Sequence, residues 1–193
     1  MDDPSKPAID EPTYSPAARR FHWWTVALLL IQIPVGLYMA YRGGKLDIWD
    51  DLTNNLYSGH KLLGIVILLL VLARLYYRLT RGAPPDEPTI TWWQKGAAHL
   101  THWALYGLLL LVPMLGWIGV SLYPALDIFG LFKLPALTVA NEEMASKVLF
   151  YHWLFAILLL LAVSAHISGA LFHYLIRKDG VLRRMLPSAG RRS

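Results

Sequence analysis

The stretch "YHWLFAILLLLAVSAHISGALFHY", Tyr151–Tyr174, carries no formal charge, yet it contains His152, His166 and His173. It is apolar enough and long enough to span a bilayer, which takes about 20 residues of helix. An imidazole at such a depth needs a partner. His152 and His166 are 14 residues apart. At about 100° and 1.5 Å per residue they share a helix face and differ in depth by roughly 21 Å. One helix therefore presents two imidazoles at two levels of the membrane, and the other histidines must be read against those levels.

Composition supports a membrane setting for the whole chain. Of its 193 residues 55% are hydrophobic and only 16% are charged, with a mean hydropathy of +0.40. That is too apolar for an ordinary soluble domain. The absence of cysteine excludes disulfides, iron–sulfur clusters and the C-x-x-C-H attachment of c-type haem. Four spans follow: Phe21–Tyr41, Asn54–Leu79 with its charge-free centre Leu62–Ala73, a third within Gly96–Leu126, and a fourth within Val148–Ile176. Pro34 and Pro113 lie inside spans, where neighbouring helices can satisfy the freed carbonyls. The expected fold is all-α, a four-helix transmembrane bundle with both termini on one side. Residues 1–20 read as a mobile N-terminal tail without a signal-peptide pattern, 21–180 as the transmembrane domain, and 181–193 as a basic tail.

Basic residues set the orientation. The N-terminal segment, the last turns of the second span with the loop after it, and the C-terminus together hold 13 of the 18 Lys and Arg residues. Positive residues stay in the cytoplasm, so both termini are expected there. The net charge of +5 is thus a topology signal, and nucleic acid is not expected as a partner.

With this orientation His60 and His152 fall near the outer face, and His22 and His166 near the inner face. Two haems, each held by imidazoles from two helices, need this spacing, so two b-type haems bound without covalent attachment are the expected cofactors. Hydrogen-bonded packing histidines are the competing reading. Zinc fits poorly, because no carboxylate or cysteine lies within those spans to complete a tetrahedron. The same 14-residue step leads from His22 to Gly36 and from His60 to Arg74. A glycine at haem depth lets the macrocycle approach backbone, and an arginine there can pair with a propionate. Gly64 is a similar packing position. The plainer alternatives are helix-packing glycines and a snorkelling boundary arginine. Lys61, beside His60, is expected to reach a propionate, to draw in an anion, or only to snorkel. His102 and His173 are expected to line a cytoplasmic quinone pocket, with His99 as an interfacial anchor.

The ordered pieces "RRFHWW", "HKLLG", "LARLYYRL", "AAHLTHWALYGLLLLVPMLGW", "FGLFKLP", "YHWLFAILLL", "AHISGALFHY" and "DGVLRRMLP" resemble the bacterial cytochrome b561 family over nearly the whole chain. The resemblance implies a di-haem bundle ligated through His22, His60, His152 and His166 in a bacterial inner membrane. It also implies electron transfer with membrane quinone, as in superoxide:ubiquinone oxidoreductases or in cytochrome b anchors of hydrogenases and other reductases. Expected partners are lipid, ubiquinone, and superoxide or a redox partner protein. A histidine-based transporter or proton channel is the non-redox alternative.

Overall fold

The computed structural model describes residues 13–186, and four long helices dominate it. They are α1 (Pro16–Met39), α2 (Asp51–Arg81), α3 (Trp92–Leu122) and α4 (Glu142–Phe172). The last three have 31 residues each, about 46 Å at 1.5 Å per residue, which exceeds the roughly 30 Å hydrocarbon core. All four are long and apolar enough to cross a membrane. Two short strands, β1 (Asp127–Ile128) and β2 (Phe132–Lys133), pair antiparallel as a hairpin between α3 and α4.

Local chemistry sets where the helices begin. Ser15 accepts from the Ala18 N–H, and Pro16 stands in the first turn, where a missing N–H costs nothing. Asp50 caps α2 by accepting from the Thr53 N–H at 2.9 Å. That bond, with the Arg42 contact, lowers its carboxyl to about 2. The Gln94 side chain accepts from the Thr91 N–H at 2.9 Å, and Asn141 caps α4 through the Met144 N–H. At its end α2 stops on Gly82, at φ 72°. Both α1 and α4 run on into π-helical turns, Ala40–Lys45 and His173–Arg177.

Packing is uneven. α3 and α4 share the largest interface, α1 packs on α2, and α2 on α3. Neither α1 nor α2 makes a comparable backbone contact with α4. The apolar core is a cluster of Ile67, Val71, Leu109, Val112 and Leu159, with Leu29 packed against it. Ile67 is midway between His60 and Arg74, Leu159 midway between His152 and His166, and Leu29 midway between His22 and Gly36. The core thus lies halfway between the two histidine levels.

The chain ends are tied down more than the sequence suggests. Helix α1 begins at Pro16 rather than at Phe21, so residues 16–20 are not tail; the Ser15 cap and Pro16 are the reason. Residues 179–186, expected in part as tail, fold under the bundle. Trp23 Nε1 donates to the Met185 carbonyl at 2.9 Å and Arg19 to the Leu186 carbonyl at 2.9 Å. Buried Arg184 donates to the Pro85 carbonyl, and Arg177 to that of Thr89. Both described ends therefore lie on one side, here the terminal side. The remainder of the two expected tails, residues 1–12 and 187–193, lies outside the described residues.

Candidate haem-binding site

Helix α4 presents His152 and His166 on one face, and each meets an imidazole from another helix. On the hairpin side, His60 of α2 and His152 have ring centres 6.1 Å apart, with planes at 87°. On the terminal side, His22 of α1 and His166 are also 6.1 Å apart, at 74°. These pairs bridge the gaps where α4 does not pack on α1 or α2. A metal–imidazole bond is about 2 Å and a ring centre lies roughly 1 Å behind its nitrogen, so two rings on one iron have centres about 6 Å apart. Both spacings match those of two imidazoles on one iron. The family's b-type haem would be held there by His60 with His152, and by His22 with His166.

The surroundings orient these rings. His152 Nδ1–H donates to the Val112 carbonyl at 2.8 Å. A carbonyl only accepts, so the proton is on Nδ1 and Nε2 keeps the lone pair a metal needs. Gly116 backs the same ring: a Cβ there would lie 3.1 Å from His152 Cε1 and Nδ1. Gly36 does the same for His60, where a Cβ would meet Cε1 at 2.9 Å and Nδ1 at 3.2 Å. Of the two expectations for Gly36, a macrocycle on the backbone or helix packing, what lies against it is the His60 imidazole of the neighbouring helix. Gly64 leaves room for Gln32, whose Nε2 is 3.5 Å from where its Cβ would be.

Charged residues are already engaged. Arg74 Nη2 approaches His22 Nδ1 at 3.2 Å, and its guanidinium stands 5.3 Å from the centre of the Tyr106 ring. Lys61, expected at a propionate or free in water, donates instead to the backbone carbonyls of Ala125 (2.9 Å) and Asp127. Its ammonium fastens the loop leading into the hairpin, and Ser58 accepts from the Phe129 N–H beside it.

The two residues expected to share a quinone pocket are apart. The His102 ring is 5.2 Å from that of His166, so three imidazoles gather at the terminal-side level. His102 also lines a cavity with Arg74, Arg78, Tyr77, Trp103 and His99. His173 does not line it; its Nδ1 is 2.6 Å from Asp179 Oδ2. The π-turn after α4 turns this side chain toward the 179–186 segment. His99 pairs with Asp86 at 3.2 Å.

Gln32, Val112, Gly116 and Asp179 have no role in the sequence reading. Gly116 carried a usable signal, because it lies 14 residues beyond His102, the step that links the other helices' marker residues. Val112 acts through its backbone, which no side-chain pattern announces.

Paired imidazoles at two depths of a four-helix membrane bundle define a membrane cytochrome. The chain belongs to the prokaryotic cytochrome b561 family, whose model matches residues 13–188, and it is a multi-pass membrane protein of electron transfer. It is 31% identical over 134 residues to a probable superoxide oxidase CybB of Yersinia pestis, covering 64% of this chain and 70% of that one. It is 28% identical to cytochrome b561 homolog 2 of Escherichia coli K12, over 90% of each chain. Cytochrome b561 homolog 1 of the same organism is 29% identical, over 86% of this chain and 92% of the homolog.

Proposed function

We propose that this chain is a di-haem cytochrome of the bacterial inner membrane that passes electrons from a periplasmic donor to membrane quinone. The observation that carries the reading is the pair of 6.1 Å imidazole couples, one at each level and both sharing α4. Bound b haem supplies the one-electron chemistry. Ligation by two imidazoles would favour electron transfer over oxygen binding. The excess of basic residues on the terminal side supports a cytoplasmic location for both ends. The name of the Yersinia relative supports superoxide as the donor.

Each superoxide would give up one electron and leave as dioxygen. Two electrons and two protons would convert one quinone to quinol. The cavity beside His102 is the proposed quinone site: His102, His99 and Tyr77 offer hydrogen bonds to a carbonyl headgroup, and Trp103 and Phe21 an apolar wall. His102 would hand on a proton at an imidazole nitrogen. His173, held by Asp179, has no part in this site.

Haem content and spectrum of the purified chain, followed by quinol formation from superoxide and ubiquinone, test the proposal. Two low-spin haems per chain and turnover without a second subunit are expected. One haem per chain would refute the two-level reading. Two haems without turnover would leave an electron-carrying subunit that needs a partner.

A further inference from the structure

Gln32 is a carboxamide in the apolar run "LLLIQIP" of α1. Polar side chains at such depth are costly unless they are bonded. Its Nε2 donates to the His60 backbone carbonyl at 3.0 Å, reaching it over Gly64. A carbonyl only accepts, so this bond fixes which end of the carboxamide is the NH2. Oε1 is left buried with no partner, and His60 Nδ1 is likewise buried without one. The first is an acceptor only. The second is a donor whenever Nε2 is reserved for a metal.

Both groups lie where α1 meets α2. His60 Nδ1 lies 3.2 Å from where a Gly36 Cβ would be, so this edge of the ring faces α1. Gln32 is four residues before Gly36, one turn along the same face. The partner imidazole repeats the arrangement. His152 Nδ1 lies 3.1 Å from where a Gly116 Cβ would be, and it donates to the carbonyl of Val112, four residues before Gly116. Glycine backs the ring, and an acceptor waits one turn away in both cases.

We infer that Gln32 is a positioning residue whose Oε1 accepts the His60 Nδ1 proton, as the Val112 carbonyl does for His152. The bond would form by rotation of the imidazole and the carboxamide within this helix contact, with Nε2 of Gln32 kept on the His60 carbonyl. Both rings of the hairpin-side pair then hold their protons on Nδ1 and turn their Nε2 lone pairs toward one another. The acceptor also makes each ring a stronger donor to the oxidised iron.

The inference rests on His60 being an iron ligand, and the test separates the two. Gln32→Leu keeps the bulk and removes the acceptor. In the membrane-extracted holoprotein it should raise the midpoint potential of the hairpin-side haem and alter its ferric low-spin EPR signal, with haem content and the other haem unchanged. Gln32→Glu, which retains an acceptor oxygen, should show no such rise. Should Gln32→Leu not accumulate, Gln32→Asn, whose shorter arm cannot span the gap, carries the same expectation as Gln32→Leu. An unmoved potential and EPR signal in the acceptor-deficient variant would overturn the role of Gln32. Equal shifts of both haems would overturn it too, because that is what general loosening does. Retention of both haems in His60→Ala would instead refute the ligand assignment, whatever Gln32 does.

Discussion

Arg74 Nη2 lies 3.2 Å from His22 Nδ1, joining α2 to α1 at the level of the terminal-side pair. A guanidinium has donors and no acceptor, so this bond makes Nδ1 the accepting nitrogen and leaves the ring proton on Nε2. A neutral imidazole so arranged has no lone pair free for iron. Ligation by His22 therefore requires Arg74 to change partners, which frees a cation beside the haem for a propionate. Arg74→Leu should lower the potential of the terminal-side haem by roughly 50–100 mV, the one-electron equivalent of about 1–2 kcal/mol for a charge some 8–10 Å away at an effective dielectric near 20. Redox titration with both haems resolved measures it. A shift confined to the other haem would place Arg74 at the wrong level.

The pairing itself is open to a direct count. His60→Ala and His152→Ala should each remove the same haem, and His22→Ala and His166→Ala the other, so that bound haem is halved in every case. The reason is depth: a rigid helix cannot carry a side chain across about 21 Å. Pyridine haemochrome assay with a redox titration identifies which component is lost. Loss of the same component in His22→Ala and His60→Ala would rule out two levels.

Glycines should divide by what faces them. A methyl group at Gly36 would come within 2.9 Å of His60 Cε1, and at Gly119 it would collide with Leu149 Cδ2, whereas Gly107 has nothing within 4 Å. Gly36→Ala should weaken haem retention at the hairpin-side pair. Gly119→Ala should cost about 1–3 kcal/mol at the α3–α4 interface. Gly107→Ala should be neutral or stabilise by up to about 1 kcal/mol through helix propensity. Thermal unfolding in detergent, followed at the haem band and by circular dichroism, distinguishes the three. Equal behaviour of all three would mean that the close approaches do not govern stability.

Lys61→Met should release the loop ahead of the hairpin. Its two carbonyl partners, Ala125 and Asp127, each lose a charged donor, a local loss of about 1–3 kcal/mol. Amide exchange of residues 125–134 should quicken about tenfold or more, with α1 unaffected. Unchanged exchange there would return Lys61 to the role of a solvated boundary residue.

How far the sequence could be read follows from what a helix encodes. Rise per residue is a property of the helix alone, so the levels of His22, His60, His152 and His166, and of Gly36 and Arg74 between them, were accessible by counting. The partner of each side chain depends on how helices are rotated against one another, and that is set by packing. Thus counting gives the height of Lys61 but not its carbonyl partners, and gives the height of His173 but not the Asp179 contact that holds it away from the cavity. Gly116 is countable from His102 by the same 14-residue step. Residues 181–186 read as tail because two of their anchors are the backbone carbonyls of Met185 and Leu186, and the third, Arg184 on the Pro85 carbonyl, looks in sequence like one more basic tail residue.

The cluster of Ile67, Val71, Leu109, Val112 and Leu159 is insulation as well as packing. Its buried members are aliphatic, and Tyr106, the polar side chain packed against it, lies under Arg74 on the terminal side. Among the described residues of this cluster and those packed on it only Tyr106 carries a hydrogen-bonding side chain, so the cluster itself offers a proton no relay. An electron crossing that layer would travel without a compensating charge. It would do work against the membrane voltage, up to about 2.3 kcal/mol per 100 mV for a full crossing and less in proportion to the depth between levels. The rate and direction of traffic through this protein would then answer to the energised state of the membrane as well as to its redox partners.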